Sequence, residues 1–181
     1  MDVFLSPRMG KEALTWDKGF TLVELLLTLS ILTLLITVIT PSFSSFLTQS
    51  QLTADQHKLQ SLLSLARMQA VTEGNYAVVC RWDGVSSCTG FDSSNTLVWS
   101  RGALVFSDKN NNRQLDPSSD KVLRIVEFSK QNQITWNRGE LLVYESDGSA
   151  LGGSNGTFTI TQEEQVIKLV VSLTGRVRRG A

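Results

Sequence analysis

The feature that most constrains this chain is an apolar run near the N-terminus that contains one carboxylate. The run extends from Phe20 to Ile39, and Glu24 is its fifth residue. Twenty helical residues rise about 30 Å, which is the thickness of the hydrocarbon core of a bilayer. A carboxylate inside such a segment is costly, so it normally has a partner and a function. We therefore expect Glu24 to pair with a cation.

Cationic residues before the run predict its orientation. Arg8, Lys11 and Lys18 precede it, and cations on one flank of an apolar helix favour the cytoplasmic side for that flank. The rest of the chain would then be periplasmic. Threonine and serine hydroxyls in the run can donate to helix carbonyls, so they are tolerated in an apolar environment. An ordinary signal peptide and a plain single-span anchor are the alternatives, but no Ala-x-Ala-like cleavage site follows Ile39.

The junction at the start of the run resembles the class III signal of type IV pilins and type II secretion pseudopilins. It reads Lys-Gly-Phe-Thr-Leu-Val-Glu over residues 18–24, and Pro41 matches a proline common in these helices. The resemblance implies that prepilin peptidase removes a leader, residues 1–19, by cutting between Gly19 and Phe20. It also implies N-methylation of Phe20 and a single-pass protein of the bacterial inner membrane.

Cleavage would create a partner for Glu24. The free amine of Phe20 is cationic near neutral pH, since its reference pKa is about 8, and methylation keeps the charge. Glu24 of an incoming subunit would neutralise the Phe20 amine of the subunit above it, or its own. A buried ion pair adds little over an apolar pair, but breaking it leaves an isolated charge. We expect the pair to specify the register of assembly.

The helix is predicted to continue beyond the run. Residues 20–40 would form its transmembrane or filament-core part, and residues 41–74 an amphipathic continuation. Apolar residues recur there at spacings of three, four and seven: Leu52, Leu59, Leu62, Leu63, Ala66 and Ala70. Polar residues, among them Asp55, are expected on the other face. Gly74 is a typical C-terminal stop.

Residues 75–181 are predicted to form a β-rich globular domain with a basic C-terminal tail. Short β-prone segments alternate there with turn residues. The predicted strands are Tyr76–Trp82, Leu97–Trp99, Ala103–Phe106, Val122–Phe128, Gln133–Trp136, Leu141–Tyr144, Thr157–Thr161 and Val166–Ser172. Their spacing favours antiparallel sheets. The predicted fold class is α+β, with a long N-terminal helix packed on a C-terminal antiparallel β-sheet domain.

Cys80 and Cys88 are the only cysteines in the chain. In a periplasmic domain they predict a disulfide that closes a short loop, worth about 2–3 kcal/mol. Two reduced thiols are the alternative. A zinc site would need further ligands, and the single histidine, His57, is far away on the helix.

The downstream region resembles the FimT/GspH group of minor pilins and pseudopilins. The matching residues are Trp99, Gly102, Val105, Phe106, Asp108, the segment Val122–Arg124 and the segment Val171–Arg178. The resemblance implies a pilin-like fold and a structural role, which we expect to be near the tip of the filament.

Three C-terminal arginines are the candidate DNA-binding residues. Arg176, Arg178 and Arg179 lie within four residues of one another, in a chain whose net charge is zero. Arginine pairs bidentately with phosphate. The resemblance implies that this basic motif contacts DNA during natural transformation.

Two alternatives apply to the arginines. They would either belong to a solvated, frayed terminus or pair with acids such as Glu163 and Glu164. If they bind DNA, Lys168, Arg138 and Lys130 are candidates to extend the basic patch.

The Asn-rich segment after residue 107 partly matches a calcium loop. Oxygen ligands fall there at alternate positions: Asp108, Asn110, Asn112 and Asp116. Arg113 occupies the position of the usual turn glycine, and no Glu closes the loop at its twelfth position. A hairpin loop held by Asx turns is the interpretation we favour, so no metal site is predicted.

The sequence contains no nucleophile elbow and no phosphate-binding glycine loop, so we predict neither an enzyme nor a cofactor. Trp82, Trp99 and Trp136 are expected in the core because they fall in or beside predicted strands.

The predicted function is that of a minor type IV pilin, assembled into a pilus or pseudopilus, that binds double-stranded DNA for uptake. The alternative is a minor pseudopilin of a type II protein secretion system that binds no nucleic acid. Other major and minor pilins or pseudopilins, prepilin peptidase and the inner membrane are the expected partners in either case.

Overall fold

The computed structural model describes residues 19–82, 84–85, 88, 98–99 and 101–180, without the side chains of residues 38–42. The predicted leader up to residue 18 lies outside this range. Contacts divide the chain into two units, Met1–Ser42 and Phe43–Ala181. The elements, in order, are α1 Leu22–Glu73, β1 Tyr76–Arg81, β2 Gly102–Asp108, β3 Lys121–Glu127, β4 Gln133–Trp136, β5 Leu141–Tyr144, β6 Gly156–Gln162, β7 Gln165–Val171 and β8 Val177–Arg179.

The described part of the first unit is mainly the start of α1, whose large apolar side chains are exposed. The hydroxyls of Thr28, Thr33 and Thr37 donate to carbonyl oxygens three residues earlier, at 2.8–2.9 Å. Ser30 donates to the carbonyl oxygen of Leu26. The expectation that these hydroxyls return to the helix backbone is confirmed. Over the residues that the structure describes, we find no helix with the length and apolarity needed to cross a membrane.

In the second unit, α1 buries the predicted apolar stripe. Leu52, Leu59, Leu62, Leu63, Ala66 and Ala70 are all buried. The helix ends where predicted, because Gly74 adopts a φ of 69° and donates its N–H to the carbonyl oxygen of Ala70 at 2.9 Å.

Asp55 was expected on the polar face of α1, and this expectation is wrong. Its side chain is buried and accepts hydrogen bonds from Ser129 N at 2.8 Å and Asn132 Nδ2 at 2.7 Å. Lys58 Nζ lies 2.9 Å from its other carboxylate oxygen. The connection between β3 and β4 therefore covers this side of the helix as well, and its amides replace water around the carboxylate.

The strands form two antiparallel sheets of four strands each, with the orders β3-β2-β1-β5 and β4-β6-β7-β8. The helix stripe and side chains from both sheets share one hydrophobic core. A second apolar cluster, which includes Val78, Leu104 and Phe106, lies on the other face of the first sheet. Strands β1, β2 and β5 of the first sheet are thus buried on both faces, but its edge strand β3 is largely exposed. The second sheet alternates buried and more exposed positions.

Apart from shifts of one or two residues in the bounds of several strands, the described structure differs from the predicted strands at two places. The prediction of a strand at Leu97–Trp99 is wrong for the described residues, because Val98 makes only an isolated bridge with Thr135. Leu97 lies outside the described residues. Val177–Arg179 form β8, an edge strand in a segment expected to be a tail. The consecutive arginines made this segment look like a solvated tail in the sequence. Charged residues are nevertheless common in strands at exposed sheet edges.

Cys80 and Cys88 form a disulfide, as predicted. Trp99 and Trp136 are fully buried, which confirms their expected place in the core, and both contact the ring of Phe158, at centroid distances of 5.1 and 4.1 Å. Trp82 is only partly buried.

Candidate functional site

A tight turn between β7 and β8 presents the C-terminal arginines. Ser172 N donates to the carbonyl oxygen of Arg176 at 3.0 Å, and Gly175 N donates to that of Ser172 at 2.9 Å. Gly175 has a φ of 73°, and a Cβ atom there would lie 2.0 Å from the carbonyl oxygen of Gly148. Glycine alone fits both the left-handed backbone and this close approach.

The carbonyl group of Gly148 connects this turn to the helix. Arg67 on α1 donates its Nε–H to that oxygen at 2.9 Å. Ala150 N donates to the carbonyl oxygen of Leu173 at 2.9 Å. Tyr144 is buried beneath the turn, and burial raises the pKa of its phenol although the cation of Arg67 acts in the opposite direction. The turn that presents the arginines is thus connected by hydrogen bonds to the segment between β5 and β6, and through it to α1.

Arg178 and Arg179 lie on opposite faces of the second sheet. In the register of β7 and β8, Arg178 is opposite Val170 and Arg179 is opposite Leu169. Residues directly opposite each other point to the same face. Leu169 is fully buried on the core face, so Arg178 belongs to the outer face. Arg179 belongs to the core face, but it is exposed at the sheet edge, and Arg176 in the turn is exposed too.

The C-terminal arginines have no carboxylate partner within the part of the chain that the structure describes, where the ion pairs are Lys58–Asp55 and Arg81–Glu140. Glu163 and Glu164 form the turn between β6 and β7, at the opposite end of β7 from the arginines. The strand does not fray at residue 180, because Gly180 N donates to the carbonyl oxygen of Lys168 at 2.9 Å.

One of the three further cations lies on the same sheet as the arginines: Lys168 is opposite Thr159 on the outer face. Arg138 follows β4, the edge strand opposite β8, and donates its Nε–H to the carbonyl oxygen of Asn155 at 2.7 Å. Lys130 precedes β4, toward the end that carries the turn between β6 and β7. The structure therefore groups Lys168, but neither Arg138 nor Lys130, with the arginines.

The predicted processing site lies just before α1. Gly19 and Phe20 are exposed and non-helical, and a Cβ atom at Gly19 would have open space around it. Sequence reasoning missed a capping box that follows. Thr21 donates its N–H and its hydroxyl to Glu24 Oε2 at 3.0 and 3.1 Å, and Glu24 N donates to Thr21 Oγ1 at 3.2 Å. The Thr-x-x-Glu spacing was the available signal.

The Asn-rich loop is held by Asx turns, the interpretation favoured from the sequence. Asp108 accepts hydrogen bonds from Asn112 N and Arg113 N. Arg113 adopts a φ of 64°, so it takes the left-handed conformation that glycine usually provides. Asn110 and Asn112 donate their side-chain amides to Asp116 at 2.9 and 2.7 Å, and these bonds lower the pKa of that carboxyl. Among the described residues, no group of three or more His, Cys, Asp or Glu side chains is placed to hold a metal.

Comparison with known families gives two matches. The profile of the type II transport protein GspH matches residues 55–175, which is more than half of the chain. The profile of the prokaryotic N-terminal methylation motif matches residues 17–40. No curated protein matches the chain.

Comparison with solved structures finds the type IV minor pilin FimU of Pseudomonas aeruginosa in two crystal forms. One has a TM-score of 0.55 at 17% identity and covers 75% of this chain and 92% of that chain; the other has 0.51 at 18%, covering 74% and 92%. The minor pseudopilin EpsH from the type 2 secretion system of Vibrio cholerae has 0.49 at 15%, covering 72% and 97%. The likeness to FimU confirms the predicted fold class.

Proposed function

Because this chain belongs to the family of the type II transport protein GspH, we propose that it is a minor type IV pilin whose C-terminal arginines bind double-stranded DNA for uptake. At the coarser level, the chain is a minor pilin or pseudopilin, and its function is structural, in assembly with other pilins or pseudopilins. DNA binding, the type of filament and a position near its tip are the proposed refinements.

The observation that supports DNA binding is the exposure of Arg176, Arg178 and Arg179 on a strand and turn that are held by hydrogen bonds. Among the described residues, the ion pairs are formed by other side chains. A DNA phosphate therefore does not have to displace a carboxylate from these arginines. The hydrogen-bonded backbone holds the arginines in place, and the planar guanidinium group presents its donors to phosphate in a fixed geometry.

Processing and anchoring form the second part of the proposal. Prepilin peptidase would cut between Gly19 and Phe20, and Phe20 would be methylated. The match to the methylation motif over residues 17–40 and the exposure of both residues support this. Residues 20–40 would hold the subunit in the bacterial inner membrane, with the domain in the periplasm. Exposed apolar side chains along the start of α1 need lipid or neighbouring helices to cover them.

Glu24 would act in assembly through its second carboxylate oxygen. Thr21 engages Oε2, and within the described residues no hydrogen bond to Oε1 is found. Oε1 is therefore open to the Phe20 amine of a neighbouring subunit. The capping box would orient the carboxylate for that contact.

A minor pseudopilin of a type II secretion system, without nucleic-acid binding, is the second candidate. The description of the matching family as a type II transport protein favours it. In the first candidate the arginines contact DNA, whereas in the second they contact no nucleic acid.

Fluorescence anisotropy of a labelled DNA duplex tests the proposal, with the full chain in nonionic detergent across a salt series. We expect binding that weakens with salt, and loss of most of it when Arg176, Arg178 and Arg179 are all changed to Gln, because each lost phosphate contact lowers the salt slope by about one. The charge-matched control changes the exposed Lys109, Lys121 and Lys130 to Gln and should bind as the wild type does. No binding at low salt, or equal loss in both variants, would favour the pseudopilin.

A further inference from the structure

The outer face of the second sheet carries positive charge without negative charge. We define the outer face as Thr135 of β4, Thr157 and Thr159 of β6, Lys168 and Val170 of β7, and Arg178 of β8, which the strand registers place on one side. None of these four strands contains an acidic residue. The acids Glu163 and Glu164 lie beyond one end of the face, at the turn between β6 and β7.

Lys168 and Arg178 are diagonal neighbours on adjacent strands, since Arg178 is opposite Val170. Such a pair lies about 7–8 Å apart, so two long cationic side chains can reach different phosphates of one strand. Within the part of the chain that the structure describes, the side of Lys168 that faces the end of β8 is also not covered by a neighbouring side chain. A Cβ atom at Gly180 would lie 3.0 Å from the Cβ atom of Lys168, and glycine leaves that space open.

We propose that the outer face binds the sugar–phosphate backbone of duplex DNA, with Lys168 and Arg178 as paired phosphate contacts and Thr157 and Thr159 as hydroxyl donors. Arg179, exposed at the sheet edge on the core-face side, belongs to the terminal arginines but not to the outer face. This inference rests on the proposed function, in which DNA binds at the C-terminal strand, and it extends the site from the terminal arginines to the sheet.

The position of the aromatic residues favours duplex over single-stranded DNA. Proteins that bind single strands stack bases on exposed aromatic rings. The outer face has none, because Trp136 of β4 and Phe158 of β6 stack on each other on the core face and are fully buried. Hydroxyls and cations recognise the phosphate backbone, which gives affinity and orientation without sequence specificity.

The distribution of charge also fixes where the DNA crosses the sheet. Glu163 and Glu164, in the turn between β6 and β7, would repel phosphates at that end of the outer face. The DNA backbone therefore crosses near Arg178 and Lys168 and runs clear of this turn.

The experiment compares single variants of the full chain in nonionic detergent, by anisotropy with a labelled duplex and with a single strand of equal length. Lys168→Gln and Arg178→Gln should each weaken duplex binding about eightfold at 0.1 M salt and lower the salt slope by about 0.9. The control Lys121→Gln removes an exposed cation of β3, in the first sheet, and should change affinity less than about twofold by the same reasoning. The duplex should bind more tightly than the single strand.

A variant that binds DNA more tightly tests the proposal independently of folding, because misfolding can only weaken binding. Thr157→Lys adds a cation to the outer face two strands from Arg178 and should tighten duplex binding and raise the salt slope by about 0.9. If Lys168→Gln binds as the wild type does while the triple arginine variant loses binding, the outer face is not the contact although the terminal arginines are. If the wild type binds no DNA, the proposed function fails and this inference fails with it.

Discussion

Arg67 on α1 donates a 2.9 Å hydrogen bond to the carbonyl oxygen of Gly148, the same oxygen against which Gly175 packs. One backbone carbonyl therefore connects the helix to the turn that presents Arg176. The orientation of the C-terminal strand depends on this contact, although the three segments are far apart in the sequence.

Replacing Gly175 with Ala should destabilise the domain by more than about 2 kcal/mol. The left-handed backbone costs an L-residue about 1–2 kcal/mol, and the added Cβ would clash with the carbonyl oxygen of Gly148. Gly74→Ala is a matched control, because Gly74 has a similar φ of 69° but open space around its Cβ position. Urea denaturation of both variants measures the difference, and equal destabilisation would rule out the close approach.

Asp55→Ala should lower the free energy of unfolding by about 2–4 kcal/mol. It leaves the N–H of Ser129 without its acceptor and leaves Asn132 Nδ2 with only the longer 3.3 Å bond to the carbonyl oxygen of Gln51. Lys58→Met removes only the partly exposed member of the Lys58–Asp55 pair and should cost about 1 kcal/mol or less. Chemical denaturation of the two variants makes the comparison. Similar losses would mean that the ion pair, and not the amide contacts, supplies the stability.

Glu24→Leu should leave membrane insertion unchanged and reduce incorporation into filaments, because the Phe20 amine of a neighbour loses its counter-charge. Immunoblotting of sheared filaments and of membrane fractions measures both quantities. Thr21→Val is the control, since it removes the hydroxyl contacts to Glu24 but keeps the carboxylate, and it should incorporate better than Glu24→Leu. Normal incorporation of Glu24→Leu would contradict the assembly role.

Asp116 should titrate below its ordinary pKa of 3.8, because Asn110 and Asn112 donate to its charged form. A carboxyl whose pKa is lowered by folding contributes stability that is present above its unfolded pKa and lost as the pH falls through its folded pKa. The carboxyl resonance of Asp116, followed by NMR through acid titration, measures the shift. Changing both Asn110 and Asn112 to Ala should move the pKa back toward 3.8, and no change would show that the amides do not stabilise the charge.

Most elements of the fold were predictable because their signals are local. The apolar stripe from Leu52 to Ala70 follows the helical period, and the strands Gln133–Trp136 and Leu141–Tyr144 were predicted with the bounds that the structure has. The disulfide followed from the only two cysteines in the chain. The segment at Trp99 was wrongly predicted as a strand because its residues are apolar. In the described structure, Val98 forms only an isolated bridge and the ring of Trp99 packs on Phe158, without a continuous ladder of strand hydrogen bonds.

The sequence by itself determined most of the helical and extended segments and which C-terminal residues are cationic, because backbone preference and charge are properties of short stretches of chain. Tertiary structure alone decided that Arg178 shares a face with Lys168 while Arg179 does not, and that Asp55 is buried. Those outcomes depend on strand register and on loops that pack across more than seventy residues of sequence. A one-residue shift in register would have exchanged the faces of the two arginines.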